Sequence, residues 1–536
     1  MLSKEHKTQL RADLFRHLDG VVTAPTAIAL ENAGVLTYLL ERRSSKIDEI
    51  SEHFKANEGY LNVALRILCS QGWLTQKIDN RTDVIVYETN DKSSRAFSLV
   101  HLYRWVVELM KLGDKYHERK FEKEPFLVLE RAFNEFKSEL ESSPTRDETP
   151  GIKKQVMKHI EGILLGPTLV KLAMGGMFHK YFMQASFKAE EFHKDSESFE
   201  RLLDILTYFG WFEKKGHTFS FTDKGMFFAR RASAYGVTVS YSPTLRMLDE
   251  IIFGNPVAAK NAGDGSKEGH VDRAMNVWGS GGAHSSYFKV VDEIIIELFN
   301  RPISEQPKGI LDMGCGNGAF IQHLFQVIEN QTRRGEILEE HPLILVGADY
   351  NEAALEITKQ NLIQADIWAK VVFGDIGDPE GLAEKLRTDY RIELNDLLNV
   401  RTFLDHNRIW KEPIEVDPNR ISDSTGAFAF EGKRLGNNLV EESLLQHFKG
   451  WQPFVSKFGL LVIELHTVHP YLVSQNLGKT AATAYDATHG YSDQYIVEVE
   501  VFKKIAQESG LKSDERYFRR YPNNDLATVT INLFKA

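Results

Sequence analysis

The feature that most constrains this fold is an apolar run, beginning at Ile310, that ends in glycines spaced G-x-G-x-G. The glycines are Gly314, Gly316 and Gly318, and an apolar helical pattern follows them. The order strand, tight turn, helix predicts an α/β fold in which a ligand approaches bare backbone at the carboxyl end of a parallel strand. The dinucleotide fingerprint G-x-G-x-x-G is matched poorly. Asp312, directly before the turn, suits a cationic amine better than a phosphate.

Further apolar runs predict more buried strands of the same sheet. Asp349 ends the second run, where a carboxylate can accept hydrogen bonds from both hydroxyls of a ribose. Asp375 follows the third run and can hold an adenine amino group. The predicted strands after the glycine turn are 343–348, 369–373, 397–404, 458–465 and a last pair, 515–521 and 526–534.

The motif Asp312-x-Gly314-x-Gly316-x-Gly318, together with Asp349 and Gly374-Asp375-Ile376, resembles that of class I S-adenosylmethionine-dependent methyltransferases. The resemblance covers roughly residues 272–536 and implies a Rossmann-like C-terminal domain with a seven-stranded sheet. It also implies enzymatic activity with S-adenosylmethionine as the cofactor. The expected cofactor contacts are Asp312, Gly314, Gly316, Asp349, Tyr350, Asp375, Ile376, Arg401, His284 and Tyr287.

His284 and Tyr287 belong to a glycine-rich stretch, 276–288, upstream of the first predicted strand. So much glycine beside histidine and tyrosine is unusual in plain structure, and we interpret the stretch as a flap over the cofactor. The alternative is the capped start of a helix, with Ser285 as the N-cap residue.

The front half contains an internal repeat, because 65–73 matches 203–211. Each copy is the end of an amphipathic helix that stops at a glycine and runs into short strands, which is the outline of a winged helix. The predicted recognition helices carry few basic residues, so we do not expect DNA binding. The region resembles, in doubled form, the winged-helix-like N-terminal region of small-molecule O-methyltransferases, which dimerises and shapes the substrate pocket. A homodimer is the assembly that this resemblance implies.

These patterns divide the chain into five expected segments, which combine a mostly helical N-terminal region and an α/β C-terminal domain. They are a first winged-helix-like unit at 1–97, a helical connector at 98–165, a second winged-helix-like unit at 166–253, a linker at 254–271 and a methyltransferase domain at 272–536.

Composition narrows the function classes. The net charge of −10 works against nonspecific binding to nucleic acid or anionic lipid. The sequence contains no apolar run of the roughly 18 residues needed to cross a bilayer, and the first residues lack the apolar core of a signal peptide. The chain has only two cysteines, Cys69 and Cys315. We therefore expect a cytoplasmic protein without a disulfide framework or a membrane partner.

The chemistry is expected where the fourth and fifth predicted strands end. Methyl transfer needs a positioned acceptor and a base that removes its proton. Plant-type O-methyltransferases use a histidine after the fourth strand in a Leu-His-Asp-Trp setting, and here the sequence is Leu404-Asp405-His406. His406 is the candidate base, and Asp405 either orients it or acts itself. His466, after the fifth strand, is the third catalytic candidate.

Three phrases, FLDHNR, IELHTVHP and YDATHGYSDQY, are similar to those of C-methyltransferase domains of bacterial polyketide synthases. In one branch of that family a single metal ion supports α-carbon methylation of a malonyl thioester. A cation that polarises the carbonyl offsets the weak acidity of an α-carbon. His466, His489 and Gln494 are the candidate ligands, and imidazole with an oxygen donor suits Fe, Mn or Zn. One Fe or Mn ion is the expected metal.

The most specific hypothesis is therefore C-methylation of a carrier-bound acyl thioester in a polyketide-type pathway, with metal assistance as an added option. One alternative is a small-molecule O-methyltransferase that uses a histidine base. Another is an interaction protein that binds the cofactor without activity, although the carboxylates at three predicted strand ends argue against it.

Overall fold

The computed structural model describes residues 2–112, 123–141, 150–178, 186–260 and 269–536, without the side chains of Pro150 and of 282–286. Two compact units emerge. Unit 1 contains the chain up to Ala283 together with Ala427–Arg434 and His469–Ser492, and unit 2 contains His284–Gly426, Leu435–Val468 and Asp493–Ala536. Among the helices described, none is long and apolar enough to cross a membrane.

The helices of the described residues are numbered along the chain. They are α1 Lys4–Ala33, α2 Val35–Arg42, α3 Ile47–Phe54, α4 Glu58–Ser70, α5 Ser93–Ser98, α6 Arg104–Val107, α7 Glu124–Glu141, α8 Pro150–Met174, α9 Ser196–Tyr208, α10 Asp223–Ala229, α11 Ser233–Ser240, α12 Ser242–Leu245, α13 Leu248–Phe253, α14 Pro256–Lys260, α15 Arg273–Phe299, α16 Ala319–Gln331, α17 Glu352–Gln364, α18 Pro379–Tyr390, α19 Asn437–Val455, α20 Pro470–Ser474, α21 Ala482–Gly490 and α22 Val499–Glu508.

The strands are numbered in the same way. They are β1 Ser44–Lys46, β2 Leu74–Asp79, β3 Val84–Thr89, β4 Phe187–Lys188, β5 Phe212–Lys215, β6 Thr218–Phe221, β7 Gly309–Met313, β8 Ile344–Asp349, β9 Lys370–Phe373, β10 Leu397–Thr402, β11 Phe428–Phe430, β12 Lys433–Leu435, β13 Leu460–Leu465, β14 Lys512–Ser513, β15 Arg519–Tyr521 and β16 Val529–Lys535.

Unit 1 is built on the crossing of its two long helices, α1 and α8. A Cβ atom added at Gly20 of α1 would lie 2.3 Å from the Cα of His159, and one added at Gly162 of α8 would lie 2.5 Å from the Cα of His17. Each glycine therefore faces a backbone of the other helix. The close approach is possible only because neither residue has a side chain.

The predicted repeat is present in unit 1. Helix α4 ends before Gly72 and the hairpin β2–β3, and helix α9 ends before Gly210 and the hairpin β5–β6. Both glycines have left-handed backbones, with φ of 77° and 75°. A short third strand completes each antiparallel sheet, in the orders β1-β3-β2 and β4-β6-β5. The prediction of winged-helix-like units in a helical N-terminal region is confirmed.

Unit 2 is organised around a single sheet in the order β14-β16-β13-β10-β7-β8-β9. Strands β7, β8, β9, β10 and β13 run parallel, and β16 is antiparallel to β13. Strand β16 pairs with both β14 and the short β15. The sheet therefore contains eight strands in seven positions. The predicted α/β fold with a seven-stranded Rossmann-like sheet is confirmed.

The glycine-rich stretch 276–288 lies inside helix α15, which begins at Arg273, well before the alternative N-cap at Ser285. The structure therefore shows a helix over 276–288, and not the flap that we predicted. Close packing accounts for one of the glycines, since a Cβ atom on Gly279 would lie 2.6 Å from the backbone nitrogen of Val237. Two segments that we assigned to the C-terminal domain, 427–434 and 469–492, belong to unit 1.

Candidate active site

The three glycines of the turn after β7 all adopt left-handed backbones, with φ of 79° at Gly314, 56° at Gly316 and 77° at Gly318. The first is covered, since its added Cβ would lie 3.0 Å from Leu404. Among described residues, no atom lies within 4 Å of a Cβ built on Gly316. The middle of the turn is therefore the part where a ligand can approach the backbone.

Asp349, the last residue of β8, is held against this turn. One carboxylate oxygen accepts a hydrogen bond from the backbone N–H of Gly316 at 3.0 Å, and the other accepts one from Asn351 at 2.9 Å. These bonds fix the orientation of the carboxylate while each oxygen retains a further lone pair. The arrangement suits a ligand with adjacent hydroxyls, as predicted for a ribose.

Asp312 lies beneath the turn and is almost fully buried. Burial, and next the charge of Asp349, raises the pKa of Asp312 to about 8. The side chain therefore carries a proton near neutral pH until a positive charge arrives to favour ionisation. A site with two neighbouring carboxylates, one of them desolvated, is selective for a cationic ligand.

The end of β9 adds an aromatic surface to the same edge. The ring of Tyr350 packs against that of Phe373 with centroids 5.3 Å apart, and the two side chains are 57% and 44% exposed. Asp375 accepts a hydrogen bond from Gly377, whereas the side chain of Ile376 is buried and its carbonyl accepts a hydrogen bond from the Trp451 indole. Phe373 was not among the predicted site residues, although its aromatic side chain at the end of the third predicted strand was a usable signal.

His406 follows β10 and is paired with a carboxylate on the neighbouring strand β13. Its Nδ1 lies 2.5 Å from Oε1 of Glu464, and its backbone N–H donates to Oε2 of the same residue. The backbone carbonyl of His406 accepts a hydrogen bond from the backbone N–H of Tyr495 at 2.8 Å. Because His406 and Glu464 are both buried, the carboxylate orients the ring and favours the tautomer with its hydrogen on Nδ1. Glu464 was not among the predicted site residues, although an acidic residue inside an apolar strand was a usable signal.

Asp405 points away from this pair. One of its oxygens accepts hydrogen bonds from Arg401 at 2.5 Å and from Nε2 of His447 at 2.8 Å, in a fully buried cluster. Burial favours the neutral carboxyl, but Arg401 and His447 outweigh it and hold the pKa of Asp405 well below its usual range. The Arg401 guanidinium lies over the Trp451 ring at 4.0 Å. Arg401 and Asp405 thus anchor the segment that carries His406.

His466 is part of the core, where both ring nitrogens are engaged. Nδ1 lies 3.1 Å from the carbonyl of Val497, and Nε2 lies 2.7 Å from the hydroxyl of Thr530. Burial lowers the pKa of His466 to about 3. The ring therefore stabilises the end of β13 and is unsuited to the predicted role of base or metal ligand.

The other two predicted ligands lie in different units. His489 belongs to α21 of unit 1, where its Nδ1 lies 2.8 Å from the carbonyl of Tyr485, and Gln494 belongs to unit 2. In the described part of the chain, no group of three or more His, Cys, Asp or Glu side chains is placed to hold a metal ion. With His466 engaged on both nitrogens, the proposed set does not fit Fe or Mn.

The last two predicted cofactor contacts are on α15. The side chain of His284 lies outside the described residues. The ring of Tyr287 meets those of Phe403 and Tyr521, with centroid separations of 6.1 and 5.0 Å.

Comparison with known proteins gives three matches to family models, and all three models describe AprA domains. Residues 268–532 match the AprA MT2-like domain, 161–255 match the AprA winged helix domain and 10–76 match the AprA N-terminal domain. No curated protein matches the chain.

Several solved structures are distantly similar. An O-methyltransferase family protein from Burkholderia thailandensis is 11% identical over 68% of this chain and 92% of its own, with a TM-score of 0.40. The CurJ carbon methyltransferase is 12% identical over 80% of this chain and 99% of its own, with a TM-score of 0.32. An O-methyltransferase family 2 protein from Planctomyces limnophilus, in complex with apigenin, is 12% identical over 98% of this chain and 94% of its own, with a TM-score of 0.39.

Proposed function

Because residues 268–532 form an AprA MT2-like methyltransferase domain, this chain is an S-adenosylmethionine-dependent methyltransferase, and we propose that His406 is the base that deprotonates its acceptor. The observation that carries the proposal is the buried pair of His406 and Glu464, with 2.5 Å between Nδ1 and Oε1. The pair stands at the carboxyl ends of β10 and β13, next to the strand that leads into the glycine turn.

The residues at the ends of β7, β8 and β9 are suited to hold the cofactor. We propose that Asp349 binds the ribose, that Asp375 and the exposed rings of Tyr350 and Phe373 bind the adenine, and that Asp312 faces the positively charged end. Bound S-adenosylmethionine supplies an electrophilic methyl group on a sulfonium sulfur.

His406 and Glu464 then act on the acceptor. Nδ1–H of His406 donates to Glu464, which places the lone pair of the neutral ring on Nε2, and Nε2 takes the proton that the acceptor loses. The carboxylate of Glu464 stabilises the imidazolium that forms. The acceptor carbon or oxygen gains a methyl group and loses a proton. The positive charge that the sulfonium loses with its methyl group is balanced by the proton that His406 gains.

We propose that the acceptor is the α-carbon of a carrier-bound acyl thioester. Each pKa unit between base and carbon acid costs about 1.36 kcal/mol. The base in our proposal is a neutral imidazole, and such a weak base matches a carbon that its own substituents acidify. Our proposal is therefore a carbon between two carbonyls, as in a malonyl or β-ketoacyl thioester.

The test is methylation by the purified full chain of acetoacetyl and malonyl thioesters of pantetheine, and of a phenol, with deuterated-methyl S-adenosylmethionine. Mass fragmentation locates the label. We expect it on the α-carbon, and label on the phenol oxygen alone would establish the O-methyltransferase alternative. Failure to label any of the three while the cofactor binds would contradict the choice of acceptors.

Variants test the role of the pair. His406→Gln and Glu464→Gln should each lower kcat by about 100-fold or more, the usual contribution of general base catalysis. His341→Gln is the matched control, because this histidine is exposed on a surface turn of unit 2. If His406→Gln retains full activity, the base is a different residue.

A further inference from the structure

Three aromatic rings meet at the edge of the sheet in unit 2, apart from the carboxylates of the predicted cofactor site. They belong to Tyr287 of α15, Phe403 directly after β10 and Tyr521 at the end of β15. Tyr287 lies between the other two and meets both edge to face, with interplanar angles of 67° to Phe403 and 66° to Tyr521. We call these three residues the aromatic trio.

Strand pairing places the trio over the strand ends that carry the base. Tyr521 is opposite Val529 of β16, and Val529 is opposite Leu465 of β13. The backbone N–H of Phe403 donates to Ile463 of β13 at 2.7 Å. The rings thus extend along the carboxyl ends of β10 and β13 and the amino end of the antiparallel β16, at the level of Glu464. The acidic groups occupy the ends of β7, β8 and β9.

Phe403 is held in an unfavourable backbone conformation. Its φ is +54°, in the left-handed region that bulky side chains rarely adopt. The bond to Ile463 on one side, and Leu404 packed on Gly314 on the other, hold the residue in place. Strain of this kind is retained mostly where a side chain has to be aimed at a ligand.

The trio consists of aromatic rings, two of which carry a hydroxyl group, and charged residues lie nearby. All three side chains are half-buried. Of the charged residues on α15 and β15, Glu293 and Arg519 face each other at 3.8 Å, and Arg520 is paired with Glu500. The cofactor side offers carboxylates to a cation, and this side offers ring faces and edges. A flat, uncharged π-system packs well in such surroundings, in offset or edge-to-face geometry.

We infer that Tyr287, Phe403 and Tyr521 form the acceptor subsite, and that it selects a planar, conjugated acceptor. This inference rests on the proposed function and adds the class of substrate. An enolised β-ketoacyl thioester and a phenol share this chemistry, since each presents its nucleophilic atom in a flat conjugated group. Both would lie on the rings with that atom directed toward His406.

The test measures acceptor binding and cofactor binding separately, on the full chain. The acceptor probes are acetoacetyl-pantetheine and catechol, titrated by calorimetry into protein saturated with S-adenosylhomocysteine. The variants are Tyr521→Leu, which removes a ring, and Phe403→Gly, which removes a ring and relieves the backbone strain. Tyr390→Leu, a surface aromatic on α18 of the same unit, is the matched control.

We expect each trio variant to weaken binding of the preferred probe by about tenfold, and to change the affinity for S-adenosylmethionine less than twofold. The probe that binds more tightly distinguishes the enolisable thioester from the phenol. Tyr390→Leu should change neither affinity.

Three outcomes would overturn the inference. One is weaker binding of S-adenosylmethionine with unchanged acceptor binding, which would assign the rings to the sulfonium cation. A second is unchanged binding of both ligands in the variants, and a third is failure of the wild-type protein to bind either probe. If the wild-type protein does not bind S-adenosylmethionine at all, the proposed function itself fails.

Discussion

A carboxylate oxygen of Asp349 accepts a hydrogen bond from the backbone N–H of Gly316, 3.0 Å away, and this bond joins the end of β8 to the turn after β7. Two elements that contact the cofactor in our proposal are thus held in one geometry before any ligand binds. Preorganisation of this kind lowers the entropy that binding has to overcome.

Asp349→Ala should weaken S-adenosylmethionine binding by about tenfold or more, the loss of about one hydrogen bond to a charged group. Calorimetry with the full chain measures the change. Asp389→Ala, on the exposed surface of α18, serves as the control. Equal affinities of wild type and Asp349→Ala would remove the ribose assignment.

Asp312 should make the stability of the ligand-free protein depend on pH. A carboxyl whose pKa is raised to about 8 in the folded state binds its proton more tightly there than in the unfolded chain. Its contribution to stability is therefore greatest near pH 4 and falls as pH rises toward 8. Urea midpoints of wild type and Asp312→Asn should be similar at pH 4, with the variant higher at pH 8. A constant difference between the two proteins would contradict this protonation state.

The same residue should couple cofactor binding to proton release. S-adenosylmethionine brings positive charge, so its binding favours ionised Asp312 and its affinity should rise between pH 6 and pH 8. Calorimetry in two buffers of different ionisation enthalpy measures the number of protons released when S-adenosylmethionine binds. The Asp312→Asn variant should show no such release.

Asp405→Asn should destabilise unit 2 by about 3–5 kcal/mol, because it leaves the buried Arg401 guanidinium without its counter-charge. The urea midpoint of the near-ultraviolet signal measures the loss. Glu384→Gln, which breaks an exposed ion pair with Arg387, should change stability by less than about 1 kcal/mol. If both variants behave alike, the buried pair contributes no more than a surface pair.

Gly20→Ala should destabilise unit 1 by about 1–3 kcal/mol or more, because the added methyl group would overlap the backbone of His159. Gly281→Ala makes the same change in an exposed part of α15 with no described atom within 4 Å, and should stabilise the helix by up to about 1 kcal/mol. Thermal denaturation compares the two variants, and an effect of the same sign in both would refute the close-packing explanation.

The sequence alone determined the features that depend on short segments of chain. The glycine turn, the carboxylates at the ends of β7 and β8, and the repeated helix, glycine and hairpin all follow from local spacing. The seven-stranded sheet was expected from the family resemblance that the turn and the carboxylates carry. A strand that ends in Asp and then Gly-x-Gly restricts its own backbone, whatever the rest of the molecule does.

Only the tertiary structure decided which polar groups meet. Glu464 lies 58 residues from His406, and Thr530 lies 64 residues from His466. No local pattern distinguishes a histidine that a carboxylate orients from one that a core hydroxyl satisfies. The same holds for the aromatic trio, whose members come from a helix, a strand end and an edge strand. Hydrogen bonding and ring packing are set by strand order and register, which bring these distant segments to the same edge of the sheet.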